Sequence, residues 1–203
     1  MVRHLPFVLS LAATEGTRVM SCFRLETDRL LLRPIERGDL PTLTSLISDW
    51  DVAKNLSRVP HPYELSMAEE YFDRQSEGLA RGVDFNFGIT RKTDSAYMGT
   101  CGLHLRDGGR FEIGYWIGKP YWGQGFATEA ARKVAGFAFH HLKVEELDAG
   151  YFHDNAASGH VLEKIGFEPN GATQLDCLSR GHKVYCHRVV LRRENFAQKK
   201  AAA

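Results

Sequence analysis

Three extended segments joined by short turns constrain the fold of this chain more than any other feature. They are residues 83–91 (VDFNFGITR), 96–106 (AYMGTCGLHLR) and 110–118 (RFEIGYWIG). The connections contain the turn-forming sequences TDS and DGG. Such short turns join antiparallel neighbours, because parallel strands need a crossover of about a dozen residues or more. The sequence therefore predicts an antiparallel meander in the middle of the chain.

A glycine-rich turn follows the meander and leads into a helix. The stretch KPYWGQGFATEAARK (119–133) contains Gly123 and Gly125, and alanines and aromatics then recur at spacings of three and four. A glycine turn at a helix N-terminus gathers unpaired backbone N–H groups and the positive end of the helix dipole, so it can hold an anion. Glycines also occur in turns that bind nothing. The turn alone leaves both interpretations open.

Two common nucleotide-binding turns match this sequence poorly. The dinucleotide-binding fingerprint needs a third glycine where this chain has Thr128, and its turn should follow the first parallel strand rather than a meander. A P-loop needs the sequence G-K-[ST], which the chain lacks. The sequence disfavours both sites.

The remaining pattern predicts an α/β (α+β) protein with one mixed sheet and helices on its faces. The predicted elements are a first strand at 29–35, a helix capped by Asp39 and ending near Ser48, a helix opened by a Ser66–Glu69 capping box and ended by Gly82, a strand at 146–152, a helix from the N-cap Asn155 to Gly166, and a final strand at 183–194.

Composition excludes several classes of protein. The 203 residues carry a formal net charge of +1 without a basic stripe, which gives no reason to expect a nucleic-acid partner. No window reaches the roughly 18 apolar residues that a spanning helix needs, so no membrane association is predicted. The four cysteines lack metal-ligand spacing and indicate free thiols in a reducing, cytoplasmic setting, with no metal site. They are Cys22, Cys101, Cys177 and Cys186.

The two ends of the chain are predicted to lie outside the folded domain. Residues 1–19 have a basic start and a short apolar run that Pro6 interrupts, so we interpret them as a dispensable extension in preference to an export signal. A single domain is expected over residues 20–195, followed by a tail at 196–203.

Three motifs together resemble the GNAT N-acetyltransferases, in particular their RimJ/RimL-like subgroup. They are LETDRLLLRPIERGDL, FEIGYWIGKPYWGQGFATEA and NAASGHVLEKIGF, in that order, within residues 24–192. The resemblance implies the acyl-CoA N-acyltransferase fold, a mixed, splayed central sheet of about seven strands flanked by helices. It also implies acetyl-CoA as the co-substrate. Trp122 stands where the general GNAT pattern has Gln or Arg, and an aromatic residue there points to the Rim-type subgroup.

The resemblance assigns the residues that bind acetyl-CoA. The pyrophosphate is expected on the backbone N–H groups of Gly123, Gln124, Gly125, Phe126 and Ala127. The pantetheine arm is expected along the strand residues Tyr115, Trp116 and Ile117, with a bond from Asn155. A splay between this strand and the strand at 146–152 would admit the thioester.

Acetyl transfer to an amine needs a group that takes the amine proton and a group that protonates the departing sulfur. Glu112 is the candidate base, acting through water, and a structural carboxylate is the alternative. Many GNAT enzymes use a tyrosine as the acid, but that position is Leu162 here. Ser158 is the candidate donor instead, with a backbone-bonded serine as the alternative.

The acceptor is predicted less specifically than the donor. A protein or peptide N-terminal α-amine is the first expectation, acetylated by direct attack in a ternary complex. A small amine such as an antibiotic or polyamine is the alternative, as is a catalytically weak CoA-binding module. The enzyme could act as a monomer or a homodimer. Trp50, Tyr63 and the loop 57–65 are expected to line the acceptor site.

Overall fold

Eight strands make up one sheet in the computed structural model, which describes residues 24–196. The strands are β1 (Leu25–Glu26), β2 (Leu30–Arg33), β3 (Asp84–Arg91), β4 (Tyr97–Leu105), β5 (Phe111–Ile117), β6 (Glu146–Phe152), β7 (Glu168–Cys177) and β8 (His182–Arg192). Their spatial order is β1-β2-β3-β4-β5-β6-β8-β7. The mixed sheet and the α/β class are therefore as predicted, with β7 as a strand that the sequence pattern missed.

Five α-helices accompany the sheet within these residues. They are α1 (Leu40–Ile47), α2 (Trp50–Ala53), α3 (Leu65–Ala80), α4 (Phe126–Phe137) and α5 (Ala156–Ile165), with a π-helical turn at Ala138–Leu142. In the segment after the glycine turn, the α-helix therefore ends at Phe137 and is followed by the π-helical turn. The short α2 has no counterpart among the predicted elements.

The meander is confirmed, and the sheet opens directly after it. β3, β4 and β5 pair antiparallel along their lengths. β5 and β6 pair parallel at only two positions, Phe111 with Leu147 and Glu112 with Asp148. Since the rest of β5 has no partner on that edge, the strands diverge. This is the predicted splay.

The two larger hydrophobic cores within residues 24–196 lie on opposite faces of the sheet, and a small third cluster lies around Phe152 and Cys177. One core joins α4 and α5 to the strands, with Phe87, Ile113 and Val134 among its buried members. The second core joins α1 and α3 to the other face, where Tyr97 is buried and Trp116 packs against it. The sheet is therefore covered on both faces around the splay.

Two predicted helix caps need correction. Asp39 precedes α1 as expected, but its carboxylate accepts hydrogen bonds from the Arg33 guanidinium and the Glu36 N–H and does not cap the helix. The Ser66–Glu69 box is wrong, because α3 begins at Leu65 and its N-cap is Glu64. Burial of the Arg33–Asp39 pair explains why Asp39 turns away from the helix end.

The cap of α5 is confirmed at both ends. The Asn155 side chain accepts a hydrogen bond from the Ser158 N–H, and Gly166 takes the left-handed conformation after the last turn. The N–H of Phe167 then bonds back to the Leu162 carbonyl at 3.1 Å. These bonds close α5 where the sequence predicted.

The predicted extension at 1–19 and most of the tail at 196–203 lie outside residues 24–196, as does Cys22. Phe196, expected as the first tail residue, instead packs on Phe139 with the ring centroids 5.2 Å apart. Cys101, Cys177 and Cys186 are buried free thiols. None of the helices between residues 24 and 196 is both long and apolar enough to cross a membrane.

Candidate active site

The splay opens into a cleft of about 1260 Å³. One end is lined by the glycine turn and the start of α4, including Gly123, Gly125 and Thr128. The other end is lined by α3 and by the loop between α2 and α3, including Tyr63. A single cleft therefore connects the predicted pyrophosphate site with the predicted acceptor region. Trp50, expected beside Tyr63, contacts His61 and is not among the lining residues.

The glycine turn presents a row of free donors to this cleft. Gly123 and Gly125 have φ angles of +75° and +80°, a conformation that glycine adopts without strain. None of the backbone N–H groups of residues 123–128 donates a hydrogen bond elsewhere in the chain between 24 and 196. A Cβ on Gly123 would meet nothing within 4 Å, so the turn has space for a bulky anion. The turn thus has the donors and the room that a pyrophosphate requires.

Arg29 adds a positive charge to the turn, and the sequence analysis missed it. Its guanidinium donates to the Gln124 carbonyl at 3.0 Å and pairs with Glu129 on the first turn of α4. The side chain is half exposed beside the turn. Its place in the opening motif LETDRLLLRP was the available signal, but the contact joins residues nearly a hundred positions apart.

Only alternate residues of β5 turn their backbone groups toward the splay. The Gly118 N–H bonds to Met98 on the β4 side, and backbone groups alternate between the two edges of a strand. The backbone of Trp116 is therefore engaged with β4, whereas Tyr115 and Ile117 face the splay. The Ile117 carbonyl already accepts a hydrogen bond from the Trp122 indole at 2.6 Å. Of the three residues predicted to pair with pantetheine, Tyr115 has the most accessible backbone.

The start of α5 faces Tyr115 across the splay. The Tyr115 hydroxyl lies 3.0 Å from both the Ser158 carbonyl and the Ser158 hydroxyl. Ser158 therefore contacts a tyrosine from β5, while Leu162, at the position of the usual tyrosine acid, is buried in the core. Burial raises the pKa of Tyr115, so its phenol stays protonated at neutral pH. Asn155 uses its side-chain oxygen as the cap of α5 and keeps its amide N–H₂ available.

Glu112 is held by two arginines. One carboxylate oxygen accepts from Arg106 at 2.9 Å, and the other accepts from Arg188 at 2.7 Å. Burial raises the pKa of Glu112, but hydrogen bonds and charge from the two guanidinium groups outweigh burial and hold that pKa below its usual value. A carboxylate in this state is ionised at neutral pH and has little affinity for a proton. Its role as a base stays a prediction.

The ion pairs make Glu112 a stabilising residue whose contribution depends on pH. Because its folded-state pKa is lowered, the stabilisation is present above the unfolded value of about 4.5 and is lost as pH falls through the folded value. We expect Glu112→Gln to lower the free energy of unfolding by about 2 kcal/mol at pH 7. In urea titrations, the difference in free energy of unfolding between wild type and Glu112→Gln should become smaller below about pH 4.5.

Glu145→Gln is the matched control, since Glu145 forms an exposed pair with Arg193. Its effect should stay within about 0.5 kcal/mol at every pH. If the difference in free energy of unfolding between wild type and Glu112→Gln stayed constant from pH 3 to pH 7, the ion pairs of Glu112 would not be the source of the stabilisation.

Two glycines face each other on the floor of the cleft, on the α1/α3 side, and the space above Gly114 is open. Gly102 on β4 pairs directly with Gly114 on β5, and paired residues share one face of the sheet. Two residues further along the strands, His104 pairs with Glu112 on the same face of the sheet. The His104 Nδ1 lies 2.8 Å from the Asp84 carboxylate. Neither His104 nor Asp84 belongs to a motif that could be recognised in the sequence.

Comparison with known proteins identifies the family. The family model described as an acetyltransferase (GNAT) domain matches residues 29–168. The chain belongs to the GNAT acetyltransferase family. It is therefore an acetyl-CoA-dependent N-acetyltransferase, as the motifs and the glycine turn predicted.

The chain is close to the RimJ/RimL-type ribosomal-protein acetyltransferases within this family, and two curated relatives are similar to it over most of its length. An uncharacterized N-acetyltransferase p20 of Bacillus licheniformis is 32% identical over 149 residues, which cover 72% of this chain and 83% of the relative. The [ribosomal protein uS5]-alanine N-acetyltransferase of Escherichia coli is 25% identical over 161 residues, which cover 73% of this chain and 79% of that enzyme.

Solved GNAT structures share the fold. Mycobacterium smegmatis RimJ in complex with CoA-disulfide superposes with a TM-score of 0.74 at 18% identity, covering 89% of this chain and 92% of that chain. Spermidine N-acetyltransferase from Vibrio cholerae in complex with CoA and spermine gives a TM-score of 0.71 at 19% identity, covering 84% of this chain and 99% of that chain. At these identities the likeness establishes the fold, and it leaves the acceptor open.

Proposed function

We propose that this GNAT enzyme acetylates the N-terminal α-amine of a protein or peptide, by direct attack of the amine on acetyl-CoA in a ternary complex. The observation that carries the proposal is the continuity of the cleft from the free N–H groups at 123–128 to the α1/α3 face of the sheet. A cleft that passes through the splay lets donor and acceptor bind together. No covalent acetyl-enzyme is then needed.

The charges that line the cleft favour an α-amine over a polyamine. The basic side chains that line the whole cleft are arginines 58, 74, 81, 106 and 188 and lysines 54 and 164, and the carboxylates are those of residues 51, 70, 77, 84, 112 and 154, so carboxylates are not in excess. A polyamine carries several positive charges and binds best where carboxylates are in excess. An α-amine, with a pKa of about 8, also loses its proton more readily than a primary alkylamine at about 10. The ribosomal-protein acetyltransferase among the relatives supports the same choice.

Asn86 offers a contact for an incoming amine. Its side-chain oxygen is buried, lines the cleft and has no hydrogen-bond partner among residues 24–196. A buried acceptor of this kind costs about 1–3 kcal/mol if it is left unpaired. An N–H of the acceptor is a suitable partner for it.

Ser158 is proposed to help protonate the departing sulfur. Its hydroxyl contacts the Tyr115 hydroxyl at 3.0 Å, and both groups border the cleft. Because a thiolate leaves with a pKa near 8.5, the help required is modest. Ser158→Ala should therefore lower kcat about tenfold with little change in KM, and an unchanged kcat would remove Ser158 from the chemistry.

An acceptor panel tests the proposed function. Thiol release from acetyl-CoA is followed with short peptides that have Ala or Ser at the N-terminus, the same peptides blocked at the N-terminus, spermidine, and an aminoglycoside. We expect kcat/KM for the free peptides to exceed that for spermidine at least tenfold, because the arginines repel the polycation. The blocked peptides are the matched control and should release no thiol.

Each other result has a defined meaning. Faster turnover of spermidine or of the aminoglycoside would replace the α-amine by a small amine as the acceptor. Acetyl-CoA binding without thiol release on any acceptor would favour the catalytically weak CoA-binding module.

A further inference from the structure

Three side chains with acid–base character lie side by side across the floor of the cleft. Asp84 on β3 pairs in register with His104 on β4, and His104 pairs with Glu112 on β5. Directly paired residues of antiparallel strands project from the same face of a sheet. The register of the meander thus creates a row of carboxylate, imidazole and carboxylate.

The bond to Asp84 fixes which nitrogen of His104 carries a proton. Nδ1 lies 2.8 Å from the Asp84 Oδ1, so in the neutral ring Nδ1 donates its N–H to the carboxylate. Nε2 is then left with a lone pair. It has no hydrogen-bond partner within residues 24–196.

The free nitrogen lies at the base of the splay. Nε2 is 3.9 Å from the point where a Cβ would stand on Gly114. Pairing between β5 and β6 ends at Glu112, two residues before Gly114, so Gly114 borders the deepest part of the opening. Here a neutral proton acceptor faces the cleft, whereas both oxygens of Glu112 are engaged by arginines.

We propose that His104 Nε2 accepts the proton of the acceptor amine, and that Asp84 is the positioning residue that keeps this nitrogen unprotonated. The inference deepens the proposed function and rests on it. Glu112 then acts through Arg106 and Arg188, which it holds beside the cleft.

The surroundings keep His104 neutral before the reaction. Burial lowers the pKa of His104, and the charges of Arg106 and Arg58 lower it further, against the raising effect of Asp84. Glu112 also faces the ring from β5, but its charge is matched by two arginines. Glu77 of α3 and Arg81, the residue after α3, line the same cleft with opposite charges.

The proposed reaction removes two protons from the acceptor ammonium and exchanges a C–S bond for a C–N bond. The acceptor ammonium gives one proton to Nε2, which forms an imidazolium paired with Asp84. The nitrogen of the neutral acceptor amine then attacks the thioester carbonyl carbon, so that the C–N bond forms and the C–S bond breaks. The second amine proton ends on the departing sulfur, and the imidazolium releases its proton to solvent through the cleft.

Rate measurements with His104→Gln test the role. At pH 7, with the best peptide acceptor, kcat/KM should fall about 100-fold or more, the usual contribution of a general base. The loss should shrink to within about tenfold at pH 9.5, where an α-amine is already neutral. A purely structural role would give the same loss at every pH. His140→Gln, at an exposed site beyond α4, is the control and should match wild type.

Asp84→Asn tests the positioning role through a readout that needs no acceptor. An amide at residue 84 lacks the carboxylate charge and offers an N–H₂ donor to Nδ1, which favours the ring proton on Nε2, so the rate should fall as in His104→Gln. Nitrogen NMR of the ring should show the Nδ1–H form in wild type and the Nε2–H form in the variant.

The NMR and rate measurements distinguish a failure of the His104 proposal from a failure of the proposed function. An Nε2–H ring in the wild type overturns the inference whatever the acceptor panel shows. Failure of every acceptor counts against the proposed function, and the tautomer is still measured. A rate loss in His104→Gln that does not change with pH also overturns the inference.

Discussion

Replacing Gly125 by aspartate is expected to weaken acetyl-CoA binding about 100-fold relative to replacing it by asparagine. Both side chains tolerate the left-handed conformation of this residue better than most, and they have nearly the same shape. They differ in charge. A carboxylate about 5 Å from a phosphate costs about 3 kcal/mol at an effective dielectric constant near 20. That energy corresponds to a change in Kd of about 100-fold.

The aspartate variant has a second disadvantage. A Cβ at residue 125 would lie 3.5 Å from the Arg29 guanidinium, so the new carboxylate would pair with Arg29 and withdraw its charge from the ligand. Isothermal titration with acetyl-CoA measures the difference, and urea unfolding shows whether both variants fold equally well. Equal Kd values for Asp and Asn would show that residues 123–128 do not hold the pyrophosphate.

Replacing Gly99 by alanine is expected to destabilise the protein by about 3 kcal/mol, the upper end of the usual cost of overpacking. A Cβ there would overlap the Trp116 carbonyl oxygen and lie 3.0 Å from the Ile117 Cα. Both atoms belong to the backbone of β5, so no side chain can rotate to make room. The two strands must separate at the end of β5 that borders the splay.

Gly38→Ala is the control for Gly99→Ala, because a Cβ at Gly38 meets nothing within 4 Å. Its free energy of unfolding should stay within about 1 kcal/mol of wild type. Acetyl-CoA affinity should fall together with stability in Gly99→Ala, since β5 lines the cleft. Wild-type stability in that variant would contradict the close packing of β4 on β5.

Local patterns were sufficient to predict the strands of the meander and the caps of α5. The turns of the meander and the caps of α5 each involve residues a few positions apart, so both can be recognised in the sequence. β7 was missed for a local reason as well. Pro169 and Gly171 lie in its first half, where the pairing with β8 is irregular, and most of the strand is exposed. Neither residue type is expected in a regular strand.

The site was predictable where it consists of backbone and much less so where it consists of side chains. The free N–H groups at 123–128 follow from the glycines and the helix start. Arg29, in contrast, reaches the turn through the fold, and the Arg106–Glu112–Arg188 network joins the turn after β4 to β5 and β8. His104 meets Asp84 only through the register of β3 on β4. Such contacts depend on tertiary structure and leave no local pattern.

The separation of the two cores has a consequence for how acceptor choice can evolve. The proposed donor side consists of the turn, α4 and α5, and the two helices pack on one face of the sheet. The other mouth of the cleft is bordered by α3 and the loop before it, on the opposite face. Substitutions there can change which amine is accepted without disturbing the packing that holds the acyl donor. One scaffold can therefore diversify its acceptors while its donor site stays constant.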